Sequence, residues 1–261
     1  MRWRSVDEVG RGDCPARIGQ VDHLAIIEAE GFALLAMTSG HLDSPVPTCP
    51  GWSSRRLLRH VGRLLHSVSA VVSRGTTEPP PPNPRAPTDD EGLIAYYRRC
   101  LDDLLGLLRE TDPARPAWNH TGVAPPVVGF WHRRLAQELT VHRWDADNAV
   151  GAARPPAAEV AADGVDELLT ILLPGERARA TTTGPAHGRV HVHLTDVEGE
   201  WLIGLAGNDV TVTREHARGD AALRGPAAAV LLALWGRLPF DASDLAAFGD
   251  AALLPALHPG V

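Results

Sequence analysis

The chain contains no lysine: all 25 residues in its Lys plus Arg total are arginine. A Schiff-base lysine and the lysine of a phosphate-binding P-loop are therefore excluded. The bias itself reflects genome composition more than function. Cysteine is scarce. Cys14, Cys49 and Cys100 are far apart and form no Cys-x-x-Cys pair. An odd, dispersed count gives no disulfide framework, and reduced thiols in a cytoplasmic protein are the natural expectation. No apolar run approaches the length of a membrane span. Residues 1–20 carry charges throughout and lack an apolar stretch, so they are not read as a signal peptide, and residues 1–18, polar and unpatterned, read as a loose arm. The net charge is −7 with no basic run, which gives no footing for a nucleic-acid partner.

What is present suits two domains. The chain has 261 residues, of which 44% are hydrophobic, enough for two cores of ordinary size. From Val21 to about Gly40 apolar residues recur at helical spacing (Leu24, Ile27, Phe32, Leu35). A stiff Pro-rich connector follows, Pro45 to Trp52, in which helix is repeatedly blocked. Ser53 is an N-cap candidate for a second helix, whose stripe runs through Leu57, Leu58, Val61, Leu64, Leu65, Val68, Val71 and Val72. Arg55, Arg56, Arg59 and Arg63 take its opposite side. After a Pro-rich loop over 74–90, helices are expected over 91–111 and 128–150. Four such helices fit an antiparallel bundle.

The sequence from Gly151 to Pro156 is the best boundary, giving domains over 18–153 and 154–261. A helix over 159–173 should end at Pro174-Gly175. The period then changes from helical to two, with strands around 190–194, 201–205 and 209–215. An Ala/Leu/Val-rich helix over 226–235 follows, and then a short helix after Asp241. The fold class is α+β: a helical bundle followed by a small α+β domain.

The chemistry concentrates on the fourth helix. At about 100° per residue, Trp131, Leu135, Glu138, Leu139, His142, Asp145, Ala146 and Ala149 share a face. A carboxylate carried into an apolar bundle needs a partner, or it costs several kcal/mol. Glu138 and His142, at i and i+4, can reach one ion. On the second helix, His60 lies at the edge of the apolar stripe and can enter the core, whereas His66 should face solvent. Two histidines and a glutamate form a normal set for a divalent metal of the zinc type, with a position left open. Asp145 could accept the other ring N–H of His142 and fix its tautomer. The competing reading of Glu138 and His142 is a plain surface pair. The apolar setting and His60 are what distinguish the two.

These residues bring a family into view. Pro47-Thr48-Cys49-Pro50-Gly51-Trp52, eight residues before His60, and Glu138-x-x-x-His142-Arg143-Trp144-Asp145 resemble the mycothiol-dependent maleylpyruvate isomerase family, whose first domain is a DinB-like metal-binding bundle. Asp220 to Gly225 and Leu231 to Arg237 resemble that family's second, sterol-carrier-like domain. The resemblance implies that His60, Glu138 and His142 bind Zn²⁺ and that Arg237 is the functional arginine. It also implies mycothiol, a low-molecular-weight thiol of actinobacteria, as co-substrate, its sulfur bound as thiolate before attacking a small electrophilic substrate. Arg237 could fork onto a carboxylate or simply complement a helix C-terminus. Trp52 and Trp131 are candidates for the cavity wall as well as for core packing. Cys49, between prolines, reads as structural. Asp22-His23 is a weak candidate for an extra ligand. His191 and His193 have metal spacing, but no carboxylate or third histidine pairs with them visibly, so a solvent-facing sheet surface is expected. Two further functions fit the same residues: a thiol-independent metal-dependent hydrolase or tailoring enzyme, and a non-enzymatic ligand-binding module.

Overall fold

The computed structural model describes residues 21–181 and 186–259. The N-terminal arm, with Cys14 and the question of a signal peptide, lies outside the described residues. Helix α1 (His23–Ser39) starts where the Asp22 carboxylate accepts the Ala25 N–H at 3.1 Å. Helix α2 (Ser54–Arg74) follows Ser53, which sits at the cap position without making a capping bond. Helix α3 (Asp90–Glu110) is capped by Asp89, and α4 spans Val128–Ala149. In the bundle α1 packs along α4 and α2 along α3. Ile27, Leu34, Leu57, Leu58, Leu65, Leu101, Leu135 and Leu139 are fully buried in its core. Apolar surface on all four helices, which no one of them can bury alone, produces this arrangement.

The connector between α1 and α2 closes on itself. Val46 N–H donates to Trp52 O, and Trp52 N–H to Cys49 O, both at 2.9 Å. Gly51 turns the chain at φ +78°, a left-handed conformation that glycine adopts without strain. The loop thereby holds Thr48 and Cys49 against the C-terminal half of α4.

In the second domain α5 (Ala158–Glu167) runs through a wide π turn (Leu168–Leu172) into α6 (Leu173–Arg179). The sequence expectation of a stop at Pro174 is overturned. In the wide turn Leu173 N–H reaches back five residues to Leu168 O. Pro174 then occupies the first turn of a new segment, where its missing N–H is not needed. The sheet comprises β1 (His187–Leu194), β2 (Glu200–Ala206), β3 (Asp209–Thr213), β4 (Ala221–Gly225) and β5 (Ala246–Gly249), in the order β3-β2-β1-β4-β5. Only the β1–β4 pair is parallel. Val190, Val192, Trp201, Ile203 and Leu223 cover one face and pack with α5 and with α7 (Ala227–Leu234).

Residues 221–225 form β4, a strand with no marked alternation of polar and apolar residues. One expectation fails here. The short helix after Asp241 is instead the edge strand β5, followed by a 3₁₀ turn, Ala251–Leu257. Small residues such as Ala246 and Ala247 carry no periodic signal, so pairing with β4 decides their conformation. Among the described residues no helix is long and apolar enough to cross a membrane.

The second domain covers the side of α4 that the bundle leaves bare, so this helix is buried nearly all round. Arg134 pairs with Glu167, Arg133 bridges Asp163 and Asp166 on α5, and Gln137 donates to Asp163 at 2.9 Å. Polar residues that look surface-facing in the sequence thus become a buried ionic seam between domains.

Candidate metal centre and its cavity

Glu138 and His142 lie one turn apart on α4, with His142 Nε2 at 3.4 Å from Glu138 Oε2. His60 faces them from α2, its ring centroid 5.1 Å from that of His142 at an interplanar angle of 77°. One donor atom from each of the three lies within 4.8 Å of the others. Arg134 Nε approaches the other carboxylate oxygen, Glu138 Oε1, at 3.3 Å. Glu138 is thereby held with Oε2 turned toward the imidazoles.

The exposure differs from expectation. His142 is buried and Glu138 half-buried, but His60 is exposed at the cavity mouth, while His66 is half-buried beside Tyr96. The edge of the α2 stripe ends at an open cavity, not in packed core. Trp52 stands edge-on to His60, 5.1 Å between ring centroids.

Asp145 anchors this arrangement and is fully buried. His142 Nδ1 lies 3.0 Å from its Oδ2, so an N–H on Nδ1 directs Nε2 toward Glu138 and His60. Arg237, arriving from the segment after α7, forks onto the same carboxylate through Nε at 3.1 Å and Nη2 at 2.8 Å. Thr48 Oγ donates to Asp145 Oδ1 at 2.9 Å. Loop, bundle helix and second domain therefore meet at one carboxylate. The anticipated fork from Arg237 to a substrate is already engaged, and its Nη1 donates to Trp235 O at 2.8 Å.

The electrostatics follow from these contacts. Burial alone would raise Glu138, but the Arg134 charge and the bond to His142 hold it well below the usual carboxylate range. Asp145 is likewise held low against burial by His142 and Arg237. Burial disfavours charge on His142 as well, yet hydrogen bonds to Asp145 and Glu138 win and push it up to about 9. His60, though open at its edge, is crowded between Trp52 and His142. Desolvation, and then the His142 charge, lower it to about 4.

These groups line a cavity of about 370 Å³. Trp52 forms part of its wall. Trp131 does not: it is buried in the bundle core, donating from its indole nitrogen to Trp118 O at 2.7 Å. Sequence reasoning missed Trp235, Arg134, Thr48 and Cys49 as lining residues. Arg134 had a visible signal, one turn before Glu138. Cys49 Sγ lies 3.6 Å from Arg237 Nη2, and burial followed by the Asp145 charge pushes its thiol up. Asp22 and His23 are elsewhere: Asp22 caps α1 and His23 meets Asp163 at 3.1 Å. On the far side of Trp52 and His60 a second groove of about 680 Å³ is lined by Arg56, Arg59 and Arg63.

Two imidazoles and a carboxylate converging at a cavity, with His142 Nδ1 engaged by Asp145 so that Nε2 faces the other two, fit a divalent ion with an open position, whose binding would displace the proton from His142 Nε2. Residues 24–147 match the Mycothiol maleylpyruvate isomerase N-terminal domain, and residues 159–256 match the MDMPI C-terminal domain. No curated protein matches the chain by sequence. The fold is similar to a crystal structure of the mycothiol-dependent maleylpyruvate isomerase, with TM-score 0.60 and 12% identity over 86% of this chain and 91% of that one. A histidine-to-alanine mutant of that enzyme matches with the same score and coverage at 10% identity. With both domain matches in order along one chain, the protein belongs to the mycothiol-dependent maleylpyruvate isomerase family.

Proposed function

We propose that this chain is a metal-dependent, mycothiol-using isomerase or thiol transferase acting on a small anionic electrophile. The observation that carries the reading is the convergence of His60, Glu138 and His142 beside a cavity that adjoins an arginine-lined groove. A divalent ion of the zinc class, held by these three residues, would ionise a thiol whose free pKa is about 8.5. The protein's own residues do the rest. Asp145 orients His142, and Arg237 and Thr48 hold Asp145 in place. Arg56, Arg59 and Arg63 supply positive charge where a dicarboxylate such as maleylpyruvate would approach. With its fork engaged, Arg237 can offer substrate a single-point contact at most. Trp52 and Trp235 provide apolar walls that limit water.

In isomerisation the thiolate sulfur adds to one alkene carbon, the new single bond rotates, and expulsion of the thiolate restores the double bond in the other geometry. The thiol is recovered unchanged. No protein thiol is required, in keeping with the raised Cys49. The test is His142→Ala, assayed for metal content and for turnover with and without mycothiol. Loss of the ion held by His60, Glu138 and His142, read as one equivalent of metal, and of thiol-dependent turnover is expected. A fully metallated variant overturns the ligand assignment. Turnover of wild-type protein that ignores added thiol would instead favour the metal-dependent hydrolase or tailoring reading.

A further inference from the structure

We propose that the outer face of the sheet carries a second transition-metal site, built from His191, His193, Glu200 and His216. One donor atom from each of these four lies within 4.8 Å of the others. The strand period creates the site. Val190, Val192 and Leu194 point into the core, so His191 and His193 share the opposite face. The β1–β2 register then sets Glu200 directly across from His193. His216 comes from the segment after β3 and stacks edge-on to His191, 5.2 Å between centroids at 87°.

The Glu200 carboxylate already gathers the three rings. His193 Nδ1 contacts Oε1, His216 Nδ1 lies 2.8 Å from Oε2, and His191 Nε2 lies 3.6 Å from Oε2. A tetrahedral ion with bonds of about 2.0–2.1 Å needs donors roughly 3.4 Å apart, close to these spacings. His191 Nε2 is the independent pointer. It is a buried nitrogen without a hydrogen-bond partner, turned toward the carboxylate. The rings border a hollow of about 320 Å³, whose other charged group, Arg224, is exposed.

Three nitrogens and one oxygen select a borderline ion such as Zn²⁺, Co²⁺ or Ni²⁺ over Mg²⁺ or Ca²⁺. Four protein ligands close the coordination shell, so the site is structural and not catalytic. It would clamp the segment after β3 to β1 and β2. That segment also carries Arg214, which forks onto Asp166 at 2.7 and 2.8 Å. The ion thus steadies a strand connection tied to the domain seam. None of the four ligands lines the cavity of His60, Glu138 and His142.

The test measures Zn²⁺ stoichiometry by elemental analysis on untagged full-length protein after gel filtration, with Co²⁺ absorption as a second probe. Wild type should hold two equivalents. His142→Ala and His193→Ala should each hold one, and the double variant none. His216→Ala, on an exposed segment that tolerates change, should also lose one equivalent, with helical circular dichroism unchanged. Co²⁺ in His142→Ala should give the d–d bands of a tetrahedral site. A wild type holding one equivalent that vanishes in His142→Ala overturns this inference and leaves the interior centre standing. One equivalent that survives His142→Ala but not His193→Ala supports it and removes the interior centre. Protein that retains no ion at all overturns both.

Discussion

Replacing Asp145 with Asn tests the hub of the cavity with almost no change of shape. The carboxylate is fully buried and receives His142 Nδ1, Thr48 Oγ and two Arg237 nitrogens at 2.8–3.1 Å. An amide must put a donor where one oxygen was. Placed at the Oδ2 position, its NH₂ faces Arg237 Nη2 and His142 Nδ1. Placed at Oδ1, it faces Arg237 Nε. Either orientation sets donor against donor. It also strands a guanidinium whose side chain is only 13% exposed. Removing one partner of a buried ion pair costs about 3–5 kcal/mol. At roughly 2–4 °C per kcal/mol for a chain of this size, Tm should fall by about 6–20 °C.

The metal should feel the change separately. Outer partners of ligand histidines are typically worth about 10–100-fold in affinity, or roughly 1.4–2.7 kcal/mol. The assay is Zn²⁺ competition against a chromophoric chelator, read beside urea melts, in a His193→Ala background so that the outer-face ligands do not contribute. Adding Arg237→Gln should recover part of the stability, because the stranded charge is gone, without restoring metal affinity. A folded Asp145→Asn protein that binds Zn²⁺ as tightly as its parent would refute the tautomer argument. Additive stability losses in the double variant would refute the coupling of Asp145 to Arg237.

Cys49→Ala should keep thiol-dependent turnover within a few-fold of wild type, since burial and Asp145 hold that thiol protonated; an inactive but folded variant would make Cys49 the nucleophile. Arg59→Ala should raise KM for a dianionic substrate about tenfold with little change in kcat, as for one lost charged contact, and steady-state kinetics against a neutral electrophile should show no such rise. Asp163 and Asp166 are desolvated, yet hydrogen bonds and the Arg133 charge hold both below the unfolded carboxylate value of about 3.9. Their stabilisation is therefore complete above about pH 5 and is lost as pH falls through the depressed folded values. Urea midpoints from pH 6 to 3 should fall more steeply for wild type than for Asp163→Asn.

The bundle was legible because its helices are long and set off by Pro-rich connectors, with a full periodic stripe on α2, and the Glu138–His142 spacing survives any small error in helix phase. The second domain was legible only where alternation is strong. Val190 to Leu194 announces a strand through its buried and half-buried alternation, whereas Ala246 to Gly249 has no pattern and takes its conformation from β4. Trp131 illustrates a different limit. It shares the helical face of Glu138, but a helix face is a direction, not a depth. Two turns toward the N-terminus that face meets packed core, while at Glu138 it meets the cavity.

The buried seam on α4 marks where one-dimensional reading stops and also explains why the site needs both domains. Arg133, Arg134 and Gln137 look like a solvated face because their partners, Asp163, Asp166 and Glu167, lie about thirty residues away on a helix of the other domain. Gly164 is what permits the approach: a Cβ there would sit 2.3 Å from Gln137 Oε1 and 2.9 Å from Leu231 Cδ1. The same docking that brings α5 against α4 delivers Trp235 and Arg237 to the cavity. Without the second domain Asp145 would lose its forked partner, the Arg134 beside Glu138 would lose its Glu167 anchor, and the cavity would open to water. The candidate ligand set is encoded within the bundle, but its protonation, orientation and enclosure depend on the interface as well.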